Sequence, residues 1–490
     1  MFYNYIESLS FINEVNAKEL LKKIPGYLLI FGLISSSFNI VPLLVLPIFL
    51  GIILFFLFFF IDRNSLLRIK GRYDFRIWFI VYASICIIYA KFIGIDVFSF
   101  SLYRREFKFI FPFLYLIVFS SFYYSIQMKR RIIYSLLFIS GFNLIWLLFG
   151  LIDPRYHNPR LYPFEGYMWE SISGGPSVYL GPFITHSAAG GFYGTMTLCF
   201  LGIYQSSRNY MERFWFFVAI IINVVCLCLT DSRAFMLSTA IMSGFIVLSS
   251  LLKSSKLPNV KKLNILSPSL TILIVLMVFY FIDKHGSLSS TLNLNNGLES
   301  SIAESKKSDA RLYDAYLRFY LWKIALEDIE KSPFLGVGPS RYDDDSRVLA
   351  TIPKRDVENG IFSLPTSTKS NVTYFQLPFI RINVGKLVAH TDQHPHNVYL
   401  DVLSEGGLLL FSVFIFMYGL MIYAIYYIRD SIYSEKVGIL KGVLYSLSGV
   451  SIASLFGNNL LAVIPMMTIF SIVSFLIGSQ DLASQNQKEV

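Results

Sequence analysis

The chain has 490 residues, of which 54% are hydrophobic and 15% charged. A soluble globular protein carries about a quarter charged residues, so this composition excludes one. Its formal net charge of +10, from 42 Lys and Arg against 32 Asp and Glu, sits in short connections between apolar runs. That placement excludes nucleic acid as the partner and points to a membrane.

Taken in chain order, Met1–Lys23 is polar with acids as well as bases and does not read as a cleavable signal peptide. Apolar runs then recur at close to the ~20 residues that cross about 30 Å of hydrocarbon. Twelve spans are expected, at 24–39, 41–61, 77–95, 109–126, 132–152, 182–204, 214–230, 234–252, 264–282, 404–427, 442–456 and 460–477. The first two divide near Asn39. The fold class is therefore an all-α polytopic membrane protein with a large, partly helical extracytoplasmic loop. Its organisation is 1–282 for the first nine spans, 283–403 for the loop, and 404–490 for three more spans and a tail.

Basic residues fix the orientation. Lys22/Lys23, Arg63/Arg68/Lys70/Arg72/Arg76, Lys129/Arg130/Arg131, Arg208/Arg213, Lys253/Lys256/Lys261/Lys262 and Arg429/Lys436/Lys441 fall on every second connection. That is about twenty, against about six on the alternate set, among them Arg104/Arg105/Lys108. Both termini are expected in the cytoplasm and the long loop outside. Cys86, Cys199, Cys226 and Cys228 fall in spans and read as small core residues.

Two external segments interrupt the helices. The shorter, 153–181, is rich in Pro, Gly and Tyr. The longer, 283–403, exceeds ordinary loop length. Within it, Leu312, Ala315, Tyr316, Phe319, Trp322, Ile324, Ala325 and Ile329 recur at helical spacing. They predict an amphipathic helix over 309–331 that stops at Ser332-Pro333. Leu335-Gly336-Val337-Gly338-Pro339 then reads as a tight turn.

The chemistry-bearing residues gather on the external side. All six histidines (His157, His186, His285, His390, His394 and His396) lie there or at its membrane edge. Imidazole is suited to moving a proton near neutral pH. Arg233, in Asp231-Ser232-Arg233, is confined to the interface, where it either snorkels to headgroups or faces a polar cavity. Arg318 lies on the amphipathic helix, and its bland reading is a solvated face. Arg341 follows the Gly-Pro turn. His390/His394/His396 lack the His-Glu-x-x-His pattern of zinc sites, and Pro395 bars a regular helix between them. Neither a Gly-x-Ser-x-Gly turn nor a nucleotide-type Gly-rich loop is present.

Four blocks together resemble the O-antigen ligase/polymerase superfamily of bacterial surface-polysaccharide enzymes. They are Gly181-Pro182-Phe183-Ile184-Thr185-His186-Ser187-Ala188-Ala189-Gly190-Gly191; Asp231-Ser232-Arg233-Ala234; Arg318-Phe319-Tyr320-Leu321-Trp322 running on to Gly336-Val337-Gly338; and His396-Asn397-Val398-Tyr399-Leu400 with Leu403-Ser404-Glu405-Gly406-Gly407. The resemblance covers roughly residues 180–480. It implies a glycosyltransferase of the bacterial inner membrane, with no cofactor, working at the periplasmic face. The implied donor is an oligo- or polysaccharide on undecaprenyl pyrophosphate, and the acceptor is a lipid A-core or lipid-linked glycan.

By the same resemblance, His396 matches the base for the acceptor hydroxyl, with His394 as the alternative. Arg233 and Arg318 match the arginines that hold the pyrophosphate. Asn397, Glu405, His186 and Arg341 are supporting candidates. Leu410 departs from the pattern, since many members carry a second glycine there. Ligase is the leading expectation and polymerase the runner-up. A polyprenyl-lipid transporter is the alternative from another class, and it would want charges near mid-membrane, where Lys91 is the obvious one.

Overall fold

A computed structural model describes residues 22–36, 41–61, 66, 74–92, 110–125, 127–152, 183, 186–207, 209–230, 232–252, 258–285, 321–322, 324–338, 366–368, 373–377, 380–383, 390–391, 396–428, 437–456 and 463–478. Helices dominate. They are α1 (22–35), α2 (Val41–Ile61), α3 (Phe75–Phe92), α4 (Ile110–Phe119), α5 (Met128–Ile152), α6 (His186–Ser206), α7 (Tyr210–Leu229), α8 (Arg233–Leu252) and α9 (Pro258–His285). A short helix α10 (324–331) lies in the long loop. The last three are α11 (Val398–Ile428), α12 (Val437–Ala453) and α13 (Val463–Gly478).

The expected spans map onto these helices with small shifts. The first of them ends in a turn at Ser36 and the second begins at Val41; the expected division near Asn39 lies outside the described residues. Among the described residues, four helical stretches are long and apolar enough to cross a membrane by length and composition: Met128–Phe149, Tyr210–Leu229, Arg233–Leu252 and Val398–Ile425. Five shorter apolar helices accompany them. The expected span 109–126 ends early. Helix α4 stops at Phe119, where the hydroxyls of Ser120 and Ser121 turn back to the Ile117 carbonyl at 3.2 and 2.7 Å. Such local side-chain bonds compete with helix continuation. The chain then runs extended, with Phe122 bridging to Leu66.

Small residues set the tightest helix pair. Helices α6 and α12 cross antiparallel, with Gly202 against the backbone of Gly442 and Gly442 against Cys199. Ser446 Oγ donates to the Thr195 carbonyl at 2.9 Å on the same seam. With lipid on the outside, close backbone approach supplies the packing energy that the hydrophobic effect supplies in water. Aromatic rings fill the next layer. Phe113 of α4 lies 5.1 Å from Phe79, 5.5 Å from Tyr418 and 4.9 Å from Phe470, so α3, α11 and α13 meet around it.

Two charges counted as loop cations are not free in that sense. Arg76 is buried in the first turn of α3. Its Nε and Nη2 donate to Asp74 at 2.9 and 2.6 Å, and its Nη1 donates to Ser121 Oγ at 3.1 Å. Arg213 is buried on α7 and donates from Nε to the Ser207 carbonyl at 2.6 Å. Lys91 stands exposed in the last turn of α3, not deep in a span. Cys199, Cys226 and Cys228 are buried and Cys86 is half-buried, all as free thiols.

The long loop adds a feature that helical periodicity did not signal. Strands β1 (Thr366–Thr368), β2 (Thr373–Leu377), β3 (Ile380–Asn383) and β4 (His390–Thr391) form an antiparallel meander. The register pairs Thr366 with Phe375, Phe375 with Ile382, and Arg381 with His390. Thr373-Tyr374-Phe375-Gln376-Leu377 and Ile380-Arg381-Ile382 are β-branched and aromatic runs two residues apart, which is a hairpin signal.

Candidate active site

Helix α11 begins six residues earlier than the expected 404, at Val398, because Asn397 caps it. The Asn397 Oδ1 accepts from the Tyr399 and Leu400 amides at 3.0 and 3.2 Å. Two of the four amides that a helix start leaves unpaired are thereby satisfied. Ahead of the cap, His396 is half-buried with φ +53°. A non-glycine residue in this left-handed region is uncommon, and such strain gathers at functional sites. The His-Asn pair is therefore a strained residue locked beside a cap.

The same corner is tied to α12. The Val398 amide donates to the Ser454 carbonyl at 3.1 Å, and Tyr399 Oη donates to the Ser451 carbonyl at 3.1 Å. Since α6 and α12 are antiparallel, the end of α12 at Ser454 and the start of α6 at His186 share one end of the bundle. The turn into α8 joins them there. Ser232 packs so closely on Gly190 that a Cβ at 190 would collide with it. Arg233, the first residue of α8, is exposed at that end. Gly191 meets Phe235 of α8 and Pro465 of α13.

Further along, α11 is broken. Gly407 has φ 60° and ψ −168°, which no helix accommodates. The turn after α10 fills the break. The Val337 and Gly338 amides donate to the Ser404 and Glu405 carbonyls, both at 2.9 Å. In return, the Leu408 and Leu409 amides donate to the Pro333 and Phe334 carbonyls at 2.8 and 3.1 Å. One short turn thus caps the end of the upper half-helix and the start of the lower one. Backbone at membrane depth needs such partners.

Gly336 also has positive φ (+70°) and lies against the Glu405 backbone, while Gly407 lies against that of Phe334. Tyr89 Oη, near the end of α3, donates to the Gly336 carbonyl at 3.1 Å. Helix α10 leads directly into this turn. Leu321, Ile324 and Ala325 form a small apolar cluster with Leu400 of α11. The amphipathic pattern of the loop therefore packs on the His396-bearing helix.

The sequence candidates separate accordingly. His396 and Asn397 stand at the start of the first half of α11 and Glu405, half-buried, at its break, about 12 Å further along the helix. His186 begins α6 at the same end of the bundle. His390 lies in β4 opposite Arg381. Arg318, Arg341 and His394 lie outside the described residues. Leu410 is buried and folds over Gly406, which has no side chain to obstruct it. That contact accounts for a large residue where a glycine was expected. Tyr89, Ser454 and the pairing of Gly336 with Gly407 were missed, since each is a contact between segments far apart in the chain.

An apolar helical bundle with a polar, partly strained corner at one end defines a polytopic membrane protein with a site at its surface. A family profile described as O-antigen ligase matches residues 215–415. Over that stretch the chain is similar to the O-antigen ligase family. No curated protein matches the chain.

Proposed function

We propose that the protein is an O-antigen ligase of the bacterial inner membrane, moving O-antigen from undecaprenyl pyrophosphate to a lipid A-core acceptor. Twelve spans carry it, with both termini cytoplasmic, the loop 283–403 in the periplasm, and the site at the periplasmic face. The observation that carries the reading is the corner built by His396, Asn397 and the docked α10 turn, at the same end of the bundle as Arg233.

His396 accepts the proton of the acceptor hydroxyl as that oxygen attacks the anomeric carbon, a role worth roughly 10²–10⁴ in rate. The bond from the anomeric carbon to the pyrophosphate oxygen breaks, and the configuration inverts. Arg233 and Arg318 receive the charge that develops on the leaving undecaprenyl pyrophosphate. Guanidinium forks match phosphate oxygens in pairs and stand here in place of a divalent metal. Asn397 holds the helix start beneath the base. Glu405 holds the helix break through its carbonyl. His394, His186 and Arg341 remain supporting candidates.

Deleting the protein and resolving cell-surface lipopolysaccharide on a gel tests this. Core without polymer, with long chains accumulating on the lipid carrier, is the expected result. Core carrying one repeat unit would instead make the protein a polymerase joining undecaprenyl-pyrophosphate-linked repeats. Unchanged ladders would refute both readings. Separately, transfer that survives His396→Ala, Arg233→Ala and Arg318→Ala would return the chain to the transporter class.

A further inference from the structure

We infer that the turn 333–338 and the break at Gly407 form a backbone clasp that positions the two halves of the site, with Gly336, Gly407 and Tyr89 as positioning residues. This deepens the proposed function and rests on it.

An unbroken α11 would satisfy the amides of Leu408 and Leu409 on its own, as helices across membranes ordinarily do. Here those amides go to Pro333 and Phe334, and the carbonyls of Ser404 and Glu405 go to Val337 and Gly338. The exchange is reciprocal, and each partner depends on a glycine with positive φ. A Cβ at Gly336 would strike the Glu405 backbone, and one at Gly407 would strike that of Phe334. Neither position tolerates alanine without opening the clasp. Tyr89 closes the third side, from α3, through its bond to the Gly336 carbonyl.

The consequence follows from what each segment carries. Upstream of the turn, α10 packs through Ile324 and Ala325 on Leu400; the stretch of the predicted helix that holds Arg318 lies outside the described residues. Upstream of the break, the first half of α11 runs from His396 and Asn397 to Glu405. These four backbone bonds, together with the Leu400 contact to α10, hold the turn against the half-helix that carries His396. The clasp thus sets where the α10 side of the site stands relative to the base on the acceptor. A displacement of about 1 Å in such a geometry costs about 10²-fold in rate with little effect on binding. Discontinuous helices in other membrane proteins likewise mark the site at which substrate is handled.

The test uses the full chain in liposomes, with undecaprenyl-pyrophosphate-linked glycan as donor and lipid A-core as acceptor. Gly336→Ala and Gly407→Ala are expected to lower kcat about 10- to 100-fold, with donor KM within about threefold of the parent. Tyr89→Phe removes one bond and should lower kcat by about two- to fivefold. A rise in KM at unchanged kcat would make the clasp part of the donor site and overturn the inference, as would parental kinetics in both alanine variants. A second readout does not depend on activity or on the alanine variants folding. Phe334→Cys with Leu409→Cys, probed in membranes with a short bismaleimide, should cross-link in the otherwise parental chain. Failure to cross-link would overturn the clasp. His396→Ala measured alongside separates the two ideas, because retained transfer there defeats the proposed chemistry while the cross-link still reports the clasp.

Discussion

Replacing His396 by glycine should inactivate the protein yet leave it more stable than His396→Ala, and the pair isolates why. Both variants lose the imidazole, so both should lose transfer by roughly 10²–10⁴-fold if it is the base. They differ in the backbone. His396 holds φ +53°, a region that costs an L-residue about 1–2 kcal/mol and costs glycine almost nothing. Glycine gives back about 0.4–1 kcal/mol through its more disordered unfolded chain. The difference leaves His396→Gly about 0.5–1 kcal/mol more stable than His396→Ala. In a chain this long that is about 0.5–1 °C in midpoint, readable by replicate thermal unfolding in detergent at fixed scan rate. Alanine equal to or more stable than glycine would refute a strained backbone at this residue. Retained transfer in either variant would refute the imidazole as base.

Other expectations are simpler. Asn397→Ala removes the cap on two amides of α11 and should cost about 1 kcal/mol in the same unfolding assay, with a fall in transfer because the His396 backbone loses its anchor. Asp74→Asn leaves the buried Arg76 guanidinium without its carboxylate and should destabilise by about 3–5 kcal/mol; expression and midpoint equal to the parent would show that the pair is solvated. Gly202→Leu drives a side chain into the backbone of Gly442 and should abolish a monodisperse peak on size exclusion, whereas Gly244→Ala, which meets open space, should not.

The helices were legible in the sequence because lipid imposes one requirement on every span, a run of apolar residues with its backbone bonded internally. That requirement is local, so α5, α7 and α8 fall within a few residues of expectation. Helix α4 ended early because two serine hydroxyls compete with its last turn, which a hydropathy window does not register. Arg76 was counted as a loop charge because its partner Asp74, though adjacent in sequence, acts only once both are buried against Ser121. The small sheet lies in a segment whose β-rich runs are too short to outweigh the helical pattern beside them.

The candidate site divides in the same way. The sequence by itself determined that the chain is a membrane protein and named the residues proposed to carry its chemistry; the helix start at Val398 under the Asn397 cap came from the structure. The sequence also supplied the amphipathic helix ahead of the Gly-rich turn. Only the tertiary structure decided that this turn enters the break at Gly407, that Tyr89 and Ser454 hold the corner from α3 and α12, and that His390 lies in a strand. The physical reason is that these are backbone contacts between segments remote in the chain. Apart from the Tyr89 hydroxyl, their bonds are made by amides and carbonyls, which every residue shares, so no side-chain pattern announces which segment they join.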